Sequence, residues 1–142
     1  MWCALEGGPT VAAEQSAEQI AAQNIGSARA GYAAVGWGDP AAAMVNMADD
    51  VEWVVPGNSA VSGTYHGKKE LGAFWRKFTE KSYTPVAELF LGDEERVMVL
   101  IHMTIAGEST DRVDILTYRD GKVVKVQSVQ DTLFLQQIFG TK

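Results

Sequence analysis

The chain has 142 residues, 46% of them hydrophobic and 21% charged, with a formal net charge of −6. That length suits one domain with a single buried core. The acidic balance, and the lack of any basic run longer than Gly67-Lys68-Lys69-Glu70, exclude a nucleic-acid footprint and disfavour an anionic membrane surface.

Residues 1–10, MWCALEGGPT, read as a flexible lead-in broken at Gly7-Gly8-Pro9, and 11–142 as one domain. The lead-in lacks the basic and long apolar regions of a signal peptide. No apolar run reaches the roughly 18 residues of a membrane span. Cys3 is the single cysteine, so no internal disulfide is expected, and no Cys/His cluster has metal-ligand spacing. A reducing, cytoplasmic setting is the expectation.

Residues 11–36 predict a long helix, with Ser16 and Gln19 spaced as a capping box. Asp39-Pro40 restarts a short helix over PAAAMVNMA, because Asp caps and Pro at the first helical position loses no hydrogen bond. In DDVEWVVPG, Val51, Trp53 and Val55 alternate onto one face, a strand ended by Pro56-Gly57. NSAVSGTYHG reads as a loop. Leu71, Phe74, Trp75 and Phe78 then form one apolar helical stripe. YTPVAELFL, RVMVLIHMTIA, DRVDILTY and KVVKVQSVQ are strands, each stopped by a glycine-bearing turn or the chain's next joint. Helices followed by strands make an α+β layout, with helices on one side of a sheet.

Asp114 shares a strand face with Arg112, Leu116 and Tyr118. A two-residue turn after Arg119 would set Asp114 beside Lys125 and Gln127. A three-residue turn, Arg119-Asp120-Gly121, pairs Tyr118 with Lys122 and sets Asp114 beside Val124, Val126, Ser128 and Gln130. The second register gathers the apolar residues and is the one expected. It places Asp114 in a largely apolar concavity, where a carboxyl group can act as base or as hydrogen-bond donor to an oxyanion. Val113 and Ile115 then need a second cover, such as another subunit.

The stretches GDPAAAMVNMADDVEWVVPG, GTYHGKKELGAFW and VDILTYRDGKVVKVQSVQD, over about residues 18–135, resemble the SnoaL-like branch of the nuclear-transport-factor-2-like superfamily. That branch includes ketosteroid isomerases, polyketide cyclases and limonene-epoxide hydrolases. The resemblance implies a cone-shaped α+β barrel: three N-terminal helices packed on a strongly curved antiparallel sheet, with an apolar pocket at the open end. It also implies a homodimer through the sheet's outer face. Val55 stands where ketosteroid isomerases carry their catalytic aspartate. Gly31, with Tyr32 beside it, stands at their oxyanion-hole tyrosine, and Trp75 at their supporting tyrosine. Asp114 matches their oxyanion-hole aspartate. Ser128 replaces the last-strand aspartate of cyclases and epoxide hydrolases, whose Arg-x-Asp pair Arg112-Val113-Asp114 echoes one strand late. The chain resembles all three enzymes and completes the catalytic set of none.

The candidates for acid–base chemistry are therefore Asp114, with His102 and Tyr32 assisting. Each has a plainer alternative: an Arg112-paired carboxylate, a structural strand histidine and a helix-packing tyrosine. The candidates for ligand contact are Trp53, Val55, Phe74, Trp75, Leu116, Val126, Ser128 and Arg112. His66 reads as a rim or solvent residue, Trp37 as a plug at the helix junction. The expected ligand is a small apolar ring compound, handled without metal or organic cofactor by an isomerase, cyclase or hydratase/hydrolase of epoxide-hydrolase type. The alternatives are a non-catalytic carrier or sensor, and an assembly module with a vestigial pocket.

Overall fold

The computed structural model describes residues 15–36 and 38–142. The lead-in at 1–10, Cys3, the first turn expected at 11–14 and Trp37 lie outside them. Helix α1 spans Ala17–Gly36. The Ser16 Oγ accepts from the Gln19 amide at 3.1 Å and the Gln19 Oε1 accepts from the Ser16 amide at 2.9 Å. The capping box is thus closed on both sides. Helix α2, Pro40–Ala43, is shorter than the sequence suggests; Asp39 caps it through the Ala42 amide at 3.1 Å. A turn then leads directly into strand β1, Met47–Val55.

The expected loop contains a strand, β2 (Gly63–His66), which pairs antiparallel with β1. Helix α3, Gly67–Thr79, buries Leu71, Phe74 and Phe78. Burying side chains of this size is worth about 1.5–3 kcal/mol each. Strands β3 (Tyr83–Gly92), β4 (Arg96–Ile105), β5 (Glu108–Arg119) and β6 (Lys122–Gln130) follow. An unanticipated helix, α4 (Thr132–Phe139), comes after them; the Asp131 carboxylate caps it by accepting from the Leu133 and Phe134 amides. Its first residue presses on Gly57, where a Cβ would stand 2.6 Å from that of Thr132 and φ is +96°. Only glycine suits both the space and the backbone there.

The six strands form one curved, unclosed sheet in the order β2-β1-β6-β5-β4-β3. All neighbours are antiparallel except β1 and β6, which run parallel. Helix α1 packs over β3 and β4, and α3 over β1 and β2. The inward residues of β4, from Val97 to Ile105, are fully buried and meet Leu116, Val126, Leu71, Phe74 and Phe78 in one core.

The β5–β6 register differs from expectation in one instructive way. The turn is the two-residue one: Arg119 pairs with Lys122, and Asp120 and Gly121 both have positive φ. A bulge follows at once, since Tyr118 pairs with Val123 but Thr117 with Lys125, leaving Val124 extra. Val123 rather than Val124 therefore points inward. The extra residue restores the expected facing from there on: Leu116 opposes Val126 and Asp114 opposes Ser128.

Candidate functional site

Alternation along β5 turns Arg112, Asp114, Leu116 and Tyr118 toward the concave side, all of them buried. Asp114 is 0% exposed and Arg112 7%. Residues i and i+2 of a strand share a face, so the guanidinium lies directly beside the carboxylate. Arg112 Nε donates to Asp114 Oδ1 at 3.0 Å and Nη2 donates to Oδ2 at 3.1 Å. Two further donors arrive from distant elements. Tyr32 on α1 donates its hydroxyl to Oδ2 at 2.5 Å, and Ser128 on β6 donates to Oδ1 at 2.8 Å. The Trp53 indole N–H in turn donates to Ser128 Oγ at 3.0 Å. Asp114 is thus a carboxylate with four hydrogen bonds, which fills its ordinary capacity.

Arg112 has five N–H groups. Beyond the two on Asp114, Nη1 donates to the Tyr83 hydroxyl at 3.1 Å and to Met103 Sδ at 3.3 Å. One N–H on Nη2 has no acceptor among the described residues, and neither does the Tyr83 hydroxyl hydrogen. Burial is the largest single influence on Arg112 and would lower its pKa, but the Asp114 charge together with Tyr83 and Tyr32 outweighs it and holds the guanidinium above the ordinary arginine value. Burial and then the Asp114 charge hold the Tyr32 phenol well above the usual tyrosine range, so it stays protonated.

A cavity of about 790 Å3 lies between the concave sheet, α1, α2 and α3. Of the predicted ligand contacts, Trp53, Phe74, Trp75, Arg112, Leu116, Val126 and Ser128 line it, as does Tyr32. The Trp53 ring meets Trp75 edge-on at 5.8 Å and Phe74 at 6.1 Å, building one aromatic wall. Val55 belongs to the core and does not line the cavity. Asp114 sits behind the wall: the three side chains bonded to it reach the cavity and it does not. His102 stands apart, because β4 alternation sends it to the convex face, where Nδ1 lies 2.8 Å from Asp111 Oδ1. His66 is likewise exposed, 3.3 Å from Glu52.

Tyr83, Ser27 and Arg76 also line the cavity, beyond the contacts expected from sequence, and Tyr118 and Gln130, expected on the Asp114 face, line it too. Tyr83 opens β3 and is reached by the Arg112 side chain across Met103 of the intervening β4. Tyr118 and Gln130 line the cavity with the Tyr118 hydroxyl and Gln130 Oε1 buried and unpartnered. Ser27 lies beside the Tyr118 hydroxyl without a hydrogen bond of ordinary geometry, and burial raises that phenol's pKa. Arg76 lies on a second stripe of α3, which also carries Lys68, Lys69, Gly72, Trp75 and Thr79. The i, i+3/i+4 rule makes that stripe readable in retrospect.

A model of the SnoaL-like domain family matches residues 28–126. The chain belongs to that family. No curated protein matches it. Among solved structures, this SnoaL-like chain is similar to Bal32a from a soil-derived mobile gene cassette (21% identity, 84% of this chain and 98% of that one, TM-score 0.76). It is similar to an NTF2-like protein of unknown function from Burkholderia pseudomallei K96243 (24% identity, 82% and 97%, TM-score 0.74). It is also similar to TerC, co-crystallised with polyporic acid (25% identity, 82% and 97%, TM-score 0.72). The first two likenesses concern the fold alone.

Proposed function

We propose that the cavity holds a small, mostly apolar ring compound and that the wall around Arg112 stabilises negative charge developing on an oxygen of that ligand. The observation that carries this reading is the pair of unassigned donors, the Nη2 hydrogen of Arg112 and the hydroxyl of Tyr83, beside a cavity of about 790 Å3. Such donors in a water-poor site are typically worth about 3 kcal/mol of barrier each. The chemistry they suit is isomerisation, cyclisation or hydration without an organic cofactor. Asp114 acts as a positioning residue: it orients Arg112, Tyr32 and Ser128. Tyr32 is the group nearest to a proton store, since it can accept a ligand proton only by passing its own to Asp114. That the structural relative TerC was crystallised with polyporic acid supports a ring compound as occupant.

A carrier or sensor is the second reading. It is favoured by the four bonds that saturate Asp114 and by the lack of Asp, Glu or His among the described lining residues. The volume of the cavity speaks against a vestigial pocket. We further propose that two copies pair through the convex face, where Leu89, Leu100, Val113 and Val129 form an apolar row across four strands.

Turnover of a panel of epoxides, enones and polyketide-like ketones, with Tyr83→Phe as the variant, decides between enzyme and carrier. Tyr83 is only half-buried, so the variant should fold. A fall of about 100-fold in kcat supports the enzyme. Ligands recovered unchanged across the panel support the carrier.

A further inference from the structure

We infer that the ligand is an acid: a ring compound whose anionic group sits at the solvent end of the cavity, against Lys69 and Arg76. The inference rests on the pocket reading above and adds the charge of the occupant. The chain as a whole carries a net charge of −6, yet the charged residues lining the cavity are Lys68, Lys69, Arg76 and Arg112, with no Asp or Glu among the described ones. The cations are not equivalent. The charge of Arg112 is matched inside the protein by Asp114, so the deep wall is close to neutral and offers hydrogen bonds rather than net charge. Lys68 lies 3.5 Å from Asp49 and is partly matched. Lys69 and Arg76 are exposed and form no ion pair among the described residues.

Their placement follows from the helix. Lys68, Lys69, Gly72, Trp75, Arg76 and Thr79 lie on one side of α3, turned from the core stripe of Leu71, Phe74 and Phe78. Gly72 between the two cations removes the side chain that would otherwise stand over the cavity, and Trp75 supplies an apolar surface next to it. Exposure grades from the unmatched cations Lys69 and Arg76, which are exposed, through half-buried Trp75, Tyr83 and Gln130, to buried Arg112, Leu116 and Val126. A ligand complementary to that order has a carboxylate or comparable anion at one end, a ring body, and a hydrogen-bonding oxygen at the other. The buried, unpartnered Oε1 of Gln130 is a second sign that the cavity expects a polar ligand group, here a hydrogen-bond donor such as a hydroxyl.

The test uses 6-hydroxy-2-naphthoate and its neutral isostere 6-hydroxy-2-naphthamide, titrated at neutral pH with calorimetry and with the emission of the cavity tryptophans. The acid should bind about tenfold tighter than the amide, a preference that shrinks as salt is raised. In the Lys69→Gln/Arg76→Gln double variant the two affinities should come within about twofold of each other. Lys77→Gln, exposed on the same helix but outside the lining, should keep the preference. Amide binding as tight as acid binding overturns the inference while leaving the pocket reading intact. So does a preference that Lys77→Gln removes as fully as the double variant. Binding of neither compound overturns both.

Discussion

Arg112 and Asp114, two residues apart on β5, hold each other in a two-bond fork at 3.0 and 3.1 Å with almost no access to solvent. Breaking such a pair by removing one charge costs more than the pair contributes, because the survivor is left buried and uncompensated. Asp114→Asn should therefore lower stability by about 3–5 kcal/mol. Adding Arg112→Met to it should recover part of that loss. Urea denaturation of the two variants checks both statements. A fold-neutral Asp114→Asn would mean that the carboxylate carries no paired charge.

The line Trp53–Ser128–Asp114 is a relay in which one hydroxyl both accepts and donates. Ser128→Ala leaves the indole N–H and one carboxylate lone pair without partners and should cost about 1–3 kcal/mol. Trp53→Phe removes the same indole bond along with ring area. The double variant should cost less than the sum of the singles, by about 0.5–3 kcal/mol, and a double-mutant cycle on denaturation midpoints measures the difference.

Stability should fall on the alkaline side. The Tyr32 and Tyr118 phenols have folded pKa values raised above the unfolded value of about 10. The folded state then binds more protons than the unfolded state above that pH, so stability is fully present below about pH 10 and is lost as pH rises toward the folded pKa values. Tyr32→Phe should flatten this decline. Thermal denaturation followed from neutral to strongly alkaline pH, with tyrosinate absorbance alongside, reads both effects.

His102→Ala should leave ligand binding and turnover unchanged and shift stability by less than about 1 kcal/mol. The imidazole faces solvent on the convex side, and an exposed pair with Asp111 is worth little. A kinetic comparison of this variant with the unaltered chain suffices.

Much of this architecture was readable because it rests on local pattern. The α3 stripe of Leu71, Phe74 and Phe78, the Ser16–Gln19 box and the Asp39-Pro40 start each depend on residues within one or two turns. The failures are non-local or too short to show a period. Strand β2 has four residues, opens on Gly63 and stops at Gly67, and exists because β1 offers it an edge. Helix α4 was signalled by Asp131 ahead of Leu133 and Phe134, but its hydrophobic run is brief. Asp114 was legible as an inward acid from the alternation of β5. Its saturation was not, since Tyr32 lies 82 residues away and Ser128 depends on a bulge. His102 misled because alternation gives two faces without saying which is concave. Tyr83, at the first position of a strand, carries no local mark of its partner.

The extra residue at Val124 has a further effect. It lets the tip of the β5–β6 hairpin obey the geometry of its own tight turn while the chamber wall keeps the opposite phase. The bulge puts the two in separate registers, so residues beyond Tyr118 and Val123 at the tip can be rebuilt without rotating Ser128 away from Asp114. Asp120-Gly121 is accordingly the place to splice in a fluorescent or affinity peptide that reports on occupancy from outside.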